Sequence, residues 1–204
     1  MPRTQLSLID DDDDVRSAIG DMLRVFGYSV DLHASADAFL SQKVAQPPGC
    51  IISDVRMPGL DGVTFLDHLK DSPLWAPVIL MSGHADVPMA VAAIKNGAFD
   101  FIEKPIDDRK LVASINRALA LVTQQQGETS ARMDLQSRFS MLTAREVEVF
   151  DLITAGLTNF GVGDRLGISV RTVESYRAQI MSKMQADGLA TLVRQAIRLN
   201  RLDP

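Results

Sequence analysis

The chain has 204 residues, room for one or two small domains, with 21 basic and 26 acidic side chains and a formal charge of −5. An apolar fraction of 46% and a mean hydropathy of +0.06 exclude a largely disordered or collagen-like chain. No apolar run is long enough to read as a membrane span and the opening MPRTQLSLID lacks the order of a secretory signal, so the cytoplasm is the expected compartment, with no membrane partner.

In chain order, short apolar runs at 6–9, 28–32, 50–52, 78–81 and 99–102 read as five strands. Helix-period stretches separate them, such as Val15, Ile19, Met22, Leu23 and Phe26 closing at Gly27, and Val87, Val91 and Ile94 closing at Gly97. This βαβα alternation predicts an α/β doubly wound five-stranded parallel sheet over residues 1–123, with a crevice at the carboxyl ends of the strands. Cys50, the single cysteine, excludes an intramolecular disulfide framework and any CxxC motif, and beside Ile51 and Ile52 it reads as a small hydrophobe. Trp75 and the methionines also read as packing residues, and His84 as a loop or interface residue.

A helix from about residue 108 carries Leu111, Ile115, Leu119 and Val122, after which the polar stretch 124–138 (QQQGETSARMDLQSR) reads as a linker. Its composition favours a mobile chain, with a helical extension as the alternative. Residues 139–204 show helix signals only: a Thr143/Glu146 capping box, a stop at Gly156, and helices at about 159–166, 170–184 and 189–199, the second opened by Ser169. The charge is divided unevenly. Residues 1–123 hold 11 basic and 17 acidic side chains (net −6) and 124–204 hold 10 and 9 (net +1), while 165–201 alone has seven Arg or Lys against Glu174 and Asp187. That local surplus suits a polyanion.

Asp10 to Asp14 directly follow one predicted strand and Asp54 follows another, which gathers carboxylates at one end of the sheet. Their repulsion calls for a divalent cation or protonation, and a small set of hard oxygen ligands suits Mg²⁺. An ionised aspartate there can attack a phosphoryl group to form an acyl phosphate, with the ammonium of Lys104 and the hydroxyl of Ser82, both at strand ends, balancing the transferred oxygens. Asp12, Asp13 and Asp14 fit better as a helix start, near the positive end of its dipole.

Through IDDD, SDVRMPGLDG, MSGHADVPMAV and GAFDFIEKP, residues 5–122 resemble the flavodoxin-like receiver domains of two-component response regulators, most of all the FixJ-like (NarL/FixJ) branch. The resemblance implies Asp54 as phosphoacceptor from a sensor histidine kinase, Asp11 as principal metal ligand with Asp10 assisting, and the Arg56 carbonyl completing the Mg²⁺ site. It implies Lys104 as the phosphate partner and Ser82 and Phe101 as the switch pair. In such relatives Lys104-Pro105 is cis, although X-Pro bonds are usually trans and both forms are open.

Residues 142–199 resemble the four-helix LuxR/FixJ-type helix-turn-helix. Leu166, Ile168, Val173, Ile180 and Met184 are expected to face its core, leaving the other side of the third helix for the major groove of promoter DNA. By resemblance Glu174, Ser175 and Ala178 read bases, with Arg171 as a further candidate, and Thr172, Arg177, Lys183 and Asn159 hold the backbone. Tyr176 replaces a frequent histidine and can still bond a phosphate. Where relatives show Asn-Lys-x-Ile-Ala, this chain has Asn159-Phe160-Gly161-Val162-Gly163, one lysine fewer, and two glycines that should loosen the second helix.

The expectation is a transcription regulator rather than an enzyme, one in which phosphorylation promotes dimerisation or relieves inhibition, with RNA polymerase a further candidate partner and activation favoured over repression only by analogy. A Mg²⁺-dependent phosphatase is the first rival, and it usually wants D-x-D, whereas Val55-Arg56 follow Asp54. The second rival is a DNA binder indifferent to phosphorylation.

Overall fold

A computed structural model of the protein describes residues 5–42, 47–70, 72, 74–83 and 87–202; His84 lies outside them. The chain divides into two compact units, Met1–Gln125 and Gln126–Pro204. In the first, the described strands β1 (Gln5–Ile9), β2 (Ser29–His33), β3 (Cys50–Asp54), β4 (Val78–Ser82) and β5 (Asp100–Glu103) alternate with α1 (Asp13–Val25), α2 (Ala36–Leu40), α3 (Gly62–Leu69), α4 (Val87–Lys95) and the start of α5 (Asp108–Ser140). All strands pair in parallel in the spatial order β2-β1-β3-β4-β5, the doubly wound sheet the alternation predicts. The order reverses between β1 and β3, which is where such sheets open a crevice at their carboxyl ends.

Alternation along the strands feeds two cores, because successive side chains leave a pleated strand on opposite faces. Ile9, Ile51, Val78 and Leu80 join Phe39 and Phe65 on one face. Leu8, Cys50, Ile52, Ile79 and Met81 join Leu23, Leu111 and Ile115 on the other. Every residue of β3 and β4 is buried, as expected for parallel strands covered on both sides. Cys50 is wholly buried, and that burial pushes its thiol up to about 12. Not all the apolar residues of the sequence pattern are inside. Val87, Val91 and Ile94 of α4 are exposed, and so are Trp75, Met133 and Met141, which the sequence assigns to packing.

The stretch 124–138, expected to be a linker, lies within α5, which runs unbroken for 33 residues. Its Gln, Glu, Ala, Arg, Met and Leu are good helix formers and it contains no proline. Its far end is anchored, since Leu135 is buried and Phe139 packs with the second core. The polar composition that suggested a mobile chain is thus that of a solvated helix surface.

In the second unit α6 (Ala144–Thr154), α7 (Asn159–Leu166), α8 (Val170–Met184) and α9 (Leu189–Arg198) enclose Phe150, Ile153, Val162, Val173, Ile180, Met184 and Leu192. Thr143 and Glu146 form the reciprocal capping box, and Thr158 and Ser169 cap α7 and α8 by accepting from the backbone of Gly161 and Thr172. The two glycines of α7 differ. A Cβ on Gly163 would stand 2.7 Å from the carbonyl oxygen of Ile168, whereas one on Gly161 would meet nothing closer than 3.6 Å. Gly163 therefore lets α7 approach the turn before α8, and it tightens the motif rather than loosening it.

Gly163→Ala should destabilise the second unit by about 1–3 kcal/mol through overpacking against backbone. Gly161→Ala should stabilise it by roughly 0.5–1 kcal/mol through the unfolded state. Urea unfolding followed by helical circular dichroism reads both, and equal effects at the two positions would contradict the close approach.

Candidate functional site

Three strand ends converge at the carboxyl edge of the sheet. Asp10 follows β1, Asp54 closes β3, and Lys104 follows β5, its peptide bond to Pro105 being cis. Asp10 and Asp54 are 1% and 7% exposed. The Lys104 ammonium lies between them, 2.8 Å from Asp10 Oδ2 and 2.5 Å from Asp54 Oδ1. Backbone donors take the other oxygens: the Asp12 N–H reaches Asp10 Oδ1 at 3.0 Å and the Arg56 N–H reaches Asp54 Oδ2 at 2.7 Å. Burial works against the Lys104 charge, but its hydrogen bonds to Asp10 and Asp54 and their negative charges outweigh that and hold it above the ordinary lysine value.

The aspartate run divides as its local structure requires. Asp12 is the N-cap of α1, its carboxylate accepting from Asp14 and Val15, and Asp13 and Asp14 occupy the first turn, where negative charge is favoured. Asp11 is exposed beside the buried pair. Among the described residues no three carboxylate, His or Cys groups form a ready metal cluster, so Asp11 is not drawn in with Asp10 and Asp54. The donor set nonetheless fits a small hard cation: two buried carboxylates sharing one positive group, with a further carboxylate alongside.

Ser82, at the end of β4, is 1% exposed, with Oγ 3.7 Å from Met89 Sδ on α4. Phe101 is partly buried against the core that holds Phe39 and Phe65. Three positions escaped the sequence reading. Arg16, one turn into α1, donates to the Asp10 carbonyl at 2.6 Å. Met89 meets the Ser82 hydroxyl. Gly62 sits so close under the strand end that a Cβ would stand 2.5 Å from the Asp54 carbonyl oxygen. Gly62, the last letter of SDVRMPGLDG, and Met89, within MSGHADVPMAV, lie in motifs where a signal could have been read; Arg16 does not.

In the second unit α8 turns Val173, Ile180 and Met184 inward, and Leu166 and Ile168 pack at the edge of the same core. Glu174, Ser175 and Ala178 are exposed, together with Arg171 one turn earlier; spacings of three and four place them on one face. The expected backbone-holding residues are more occupied. Arg177 Nη1 donates to Asn159 Oδ1 at 2.8 Å, and the Thr172 and Ser169 hydroxyls are 2.8 Å apart. Tyr176 packs partly into the core. Lys183 Nζ reaches Glu146 Oε2 at 2.7 Å and the Met141 carbonyl at 3.3 Å, so its ammonium is engaged within the unit while its side chain keeps 35% exposure. The reason is Glu146, 1% exposed. Burial pushes that carboxyl up, but bonds from Lys183 and Thr143 outweigh it and hold it below the usual glutamate value. Arg165, Arg171, Arg194 and Arg198 remain exposed.

A parallel sheet with paired acidic groups at its carboxyl edge, followed by a helix-turn-helix, defines a signal receiver joined to a DNA-binding module. Known families match both parts: the response regulator receiver domain over residues 6–116 and the luxR family of bacterial regulatory proteins over 140–196. The transcriptional regulatory protein FixJ of Azorhizobium caulinodans is 44% identical over 190 residues, 93% of this chain and 90% of the relative. FixJ of Bradyrhizobium diazoefficiens is 41% identical over 96% of both chains. Among solved structures, the response regulator StyR superposes with a TM-score of 0.83 at 32% identity, covering 95% of this chain and 98% of its own. Full-length FixJ from B. japonicum gives 0.60 at 39% identity over the whole of both. The chain belongs to the FixJ-like branch of the NarL/FixJ response regulators, and it is accordingly a two-component response regulator that controls transcription.

Lys104→Met should destabilise the first unit by about 2–4 kcal/mol in chelator, because it leaves two buried carboxylates without their cation, and millimolar Mg²⁺ should recover much of the loss. Since the folded pKa of Lys104 is raised, its contribution should be constant below the ordinary lysine value of about 10.4 and vanish as pH climbs through the folded value. Unfolding of both proteins at pH 7 to 11, with and without Mg²⁺, measures this; a difference that is already falling at pH 8 would contradict it.

Proposed function

We propose that Asp54 is the phosphoacceptor. One Asp54 oxygen attacks the phosphorus of a phosphohistidine on a sensor kinase, the P–N bond breaks, and the imidazole leaves with the electron pair while the phosphoryl group stays as an acyl phosphate. The observation that carries this reading is the single Lys104 ammonium bridging Asp10 and Asp54 at the carboxyl edge: the same group can turn from a carboxylate oxygen to a phosphoryl oxygen without leaving its place. The Arg56 N–H orients the acceptor carboxylate, and Arg16 and the Asp12 N–H fix Asp10. Asp10, Asp11, Asp54 and the Arg56 carbonyl would hold Mg²⁺, which when bound neutralises charge on the phosphoryl oxygens.

Ser82, on β4, is the neighbouring hydroxyl that would follow the new phosphoryl group, and Phe101 on β5 the aromatic that would reorient with it. Their motion would alter the exposed apolar face of α4, carried by Val87, Val91 and Ile94, and so promote pairing of two copies. A dimer would present two α8 helices to successive major grooves of promoter DNA, about 34 Å apart, with Glu174, Ser175, Ala178 and Arg171 toward base edges.

Asp54→Asn should fold normally but take up no label from radioactive acetyl phosphate in Mg²⁺; undiminished labelling would move the acceptor elsewhere. On DNA selected from a random pool by the phosphorylated protein, Glu174→Ala should cost about 1–3 kcal/mol at particular base pairs only. Arg194→Ala or Arg198→Ala should weaken all sequences alike and lower the salt slope by about one. A uniform loss with Glu174→Ala would remove it from base reading.

A further inference from the structure

We propose that Arg138 is a positioning residue for DNA recognition: it ties the end of the recognition helix α8 to α5, so that α8 is held in place by the helix that begins in the receiver. The inference rests on the reading that phosphorylation controls DNA binding. One helix supplies both cores, since Leu111, Ile115 and Ala118 of α5 belong to the core of the first unit and Leu135 and Phe139 to that of the second. The Phe139 ring meets Phe150 edge-on at 5.4 Å and lies 5.0 Å beneath the Arg201 guanidinium, which is itself paired with Asp151. The end of α5 is thereby locked to α6 and to the turn after α9.

From that end Arg138 reaches α8. Helices leave their last carbonyls without partners, and at the end of α8 the Met184 carbonyl accepts from Arg138 Nη1 at 3.4 Å and from Gln195 Nε2 of α9 at 3.1 Å. A cation is favoured at that end of the helix dipole. The other Arg138 terminal nitrogen pairs with Asp134 one turn back on α5, and the side chain is only 23% exposed. The next residue inward, Lys183, is bonded to the Met141 carbonyl just beyond α5, so two successive residues of α8 are fastened to the same short segment.

Stability alone does not account for this arginine. Its Nε is buried without a hydrogen-bond partner, as is Gln195 Oε1, and an unsatisfied buried polar group costs energy that an apolar side chain of similar length avoids. What the guanidinium supplies is direction, one nitrogen to α5 and one to α8. Because α8 is a rod of about 22 Å, a change in how its last carbonyl is held shifts the base-facing residues at its other end.

The test uses the full chain and DNA selected by the phosphorylated wild type, and compares affinity with and without acetyl phosphate and Mg²⁺. Wild type should gain about tenfold or more, within the usual range of allosteric coupling. Arg138→Met should hold its melting temperature or raise it, yet gain less than about twofold, while Arg138→Lys, which can still donate to the Met184 carbonyl, should keep most of the gain. Gly127→Pro, at an exposed position where a Cβ would meet nothing within 4 Å, breaks α5 between the two cores and should lose the gain as well. A wild-type gain in Arg138→Met or Gly127→Pro would overturn the inference, as would equal losses in Arg138→Lys and Arg138→Met. No gain in wild type would instead strike the phosphorylation reading. The tie itself is then decided by amide hydrogen exchange in the last turn of α8, which Arg138→Met should speed several-fold; unchanged exchange would overturn it.

Discussion

Two carboxylates at neighbouring strand ends share one ammonium, and the receiver is arranged around that sharing. Through Lys104 the oxygens of Asp10 and Asp54 are held within about 5 Å of each other, a separation at which two unit charges repel by roughly 3 kcal/mol at an effective dielectric near 20. The sheet order produces this proximity, because β1 and β3 are adjacent although α1, β2 and α2 lie between them in sequence. Lys104 comes from β5, one strand further than β3's own neighbour, so its long stem must pass the end of β4. The residue there is Ser82, short enough to leave room. One ammonium against two carboxylates leaves the pair short of positive charge and its bonds exchangeable, which suits a site that takes up a cation and gains and loses a dianion.

Much of this was legible in the sequence because strand periodicity and motif position are local signals. The five apolar runs marked every strand to within a residue or two, and Asp10, Asp54 and Lys104 could be placed at one edge by parallel topology alone. What the sequence could not separate were the members of DDDDD, whose roles depend on which carboxylate the strand end buries and which the helix start claims as its cap. The segment 124–138 misled for a physical reason. Its polar residues are as compatible with a solvated helix as with a coil, and the deciding contacts, Leu135 and Phe139 in the second core, are tertiary.

The helix-turn-helix shows the same division. Inward positions of α8 followed from period, and the exposed face with Glu174, Ser175 and Ala178 followed as its complement. The cations did not sort themselves, because an arginine or lysine on a basic helix can serve a phosphate or a neighbour equally well. Lys183 reaches Glu146, a buried carboxylate that needs a counter-charge, and Arg177 reaches Asn159. Gly163 likewise looked like a weakness in a helix until the Ile168 carbonyl showed why no side chain fits there.

The depth of Cys50 has a practical side. A thiol with no accessible surface, whose proton is held until strongly alkaline pH, presents almost no thiolate to alkylating reagents under ordinary conditions. Cysteines introduced on the surface could carry fluorophores or spin labels in the unaltered background, so distances within and between the two units become measurable in solution without first removing the native sulfur.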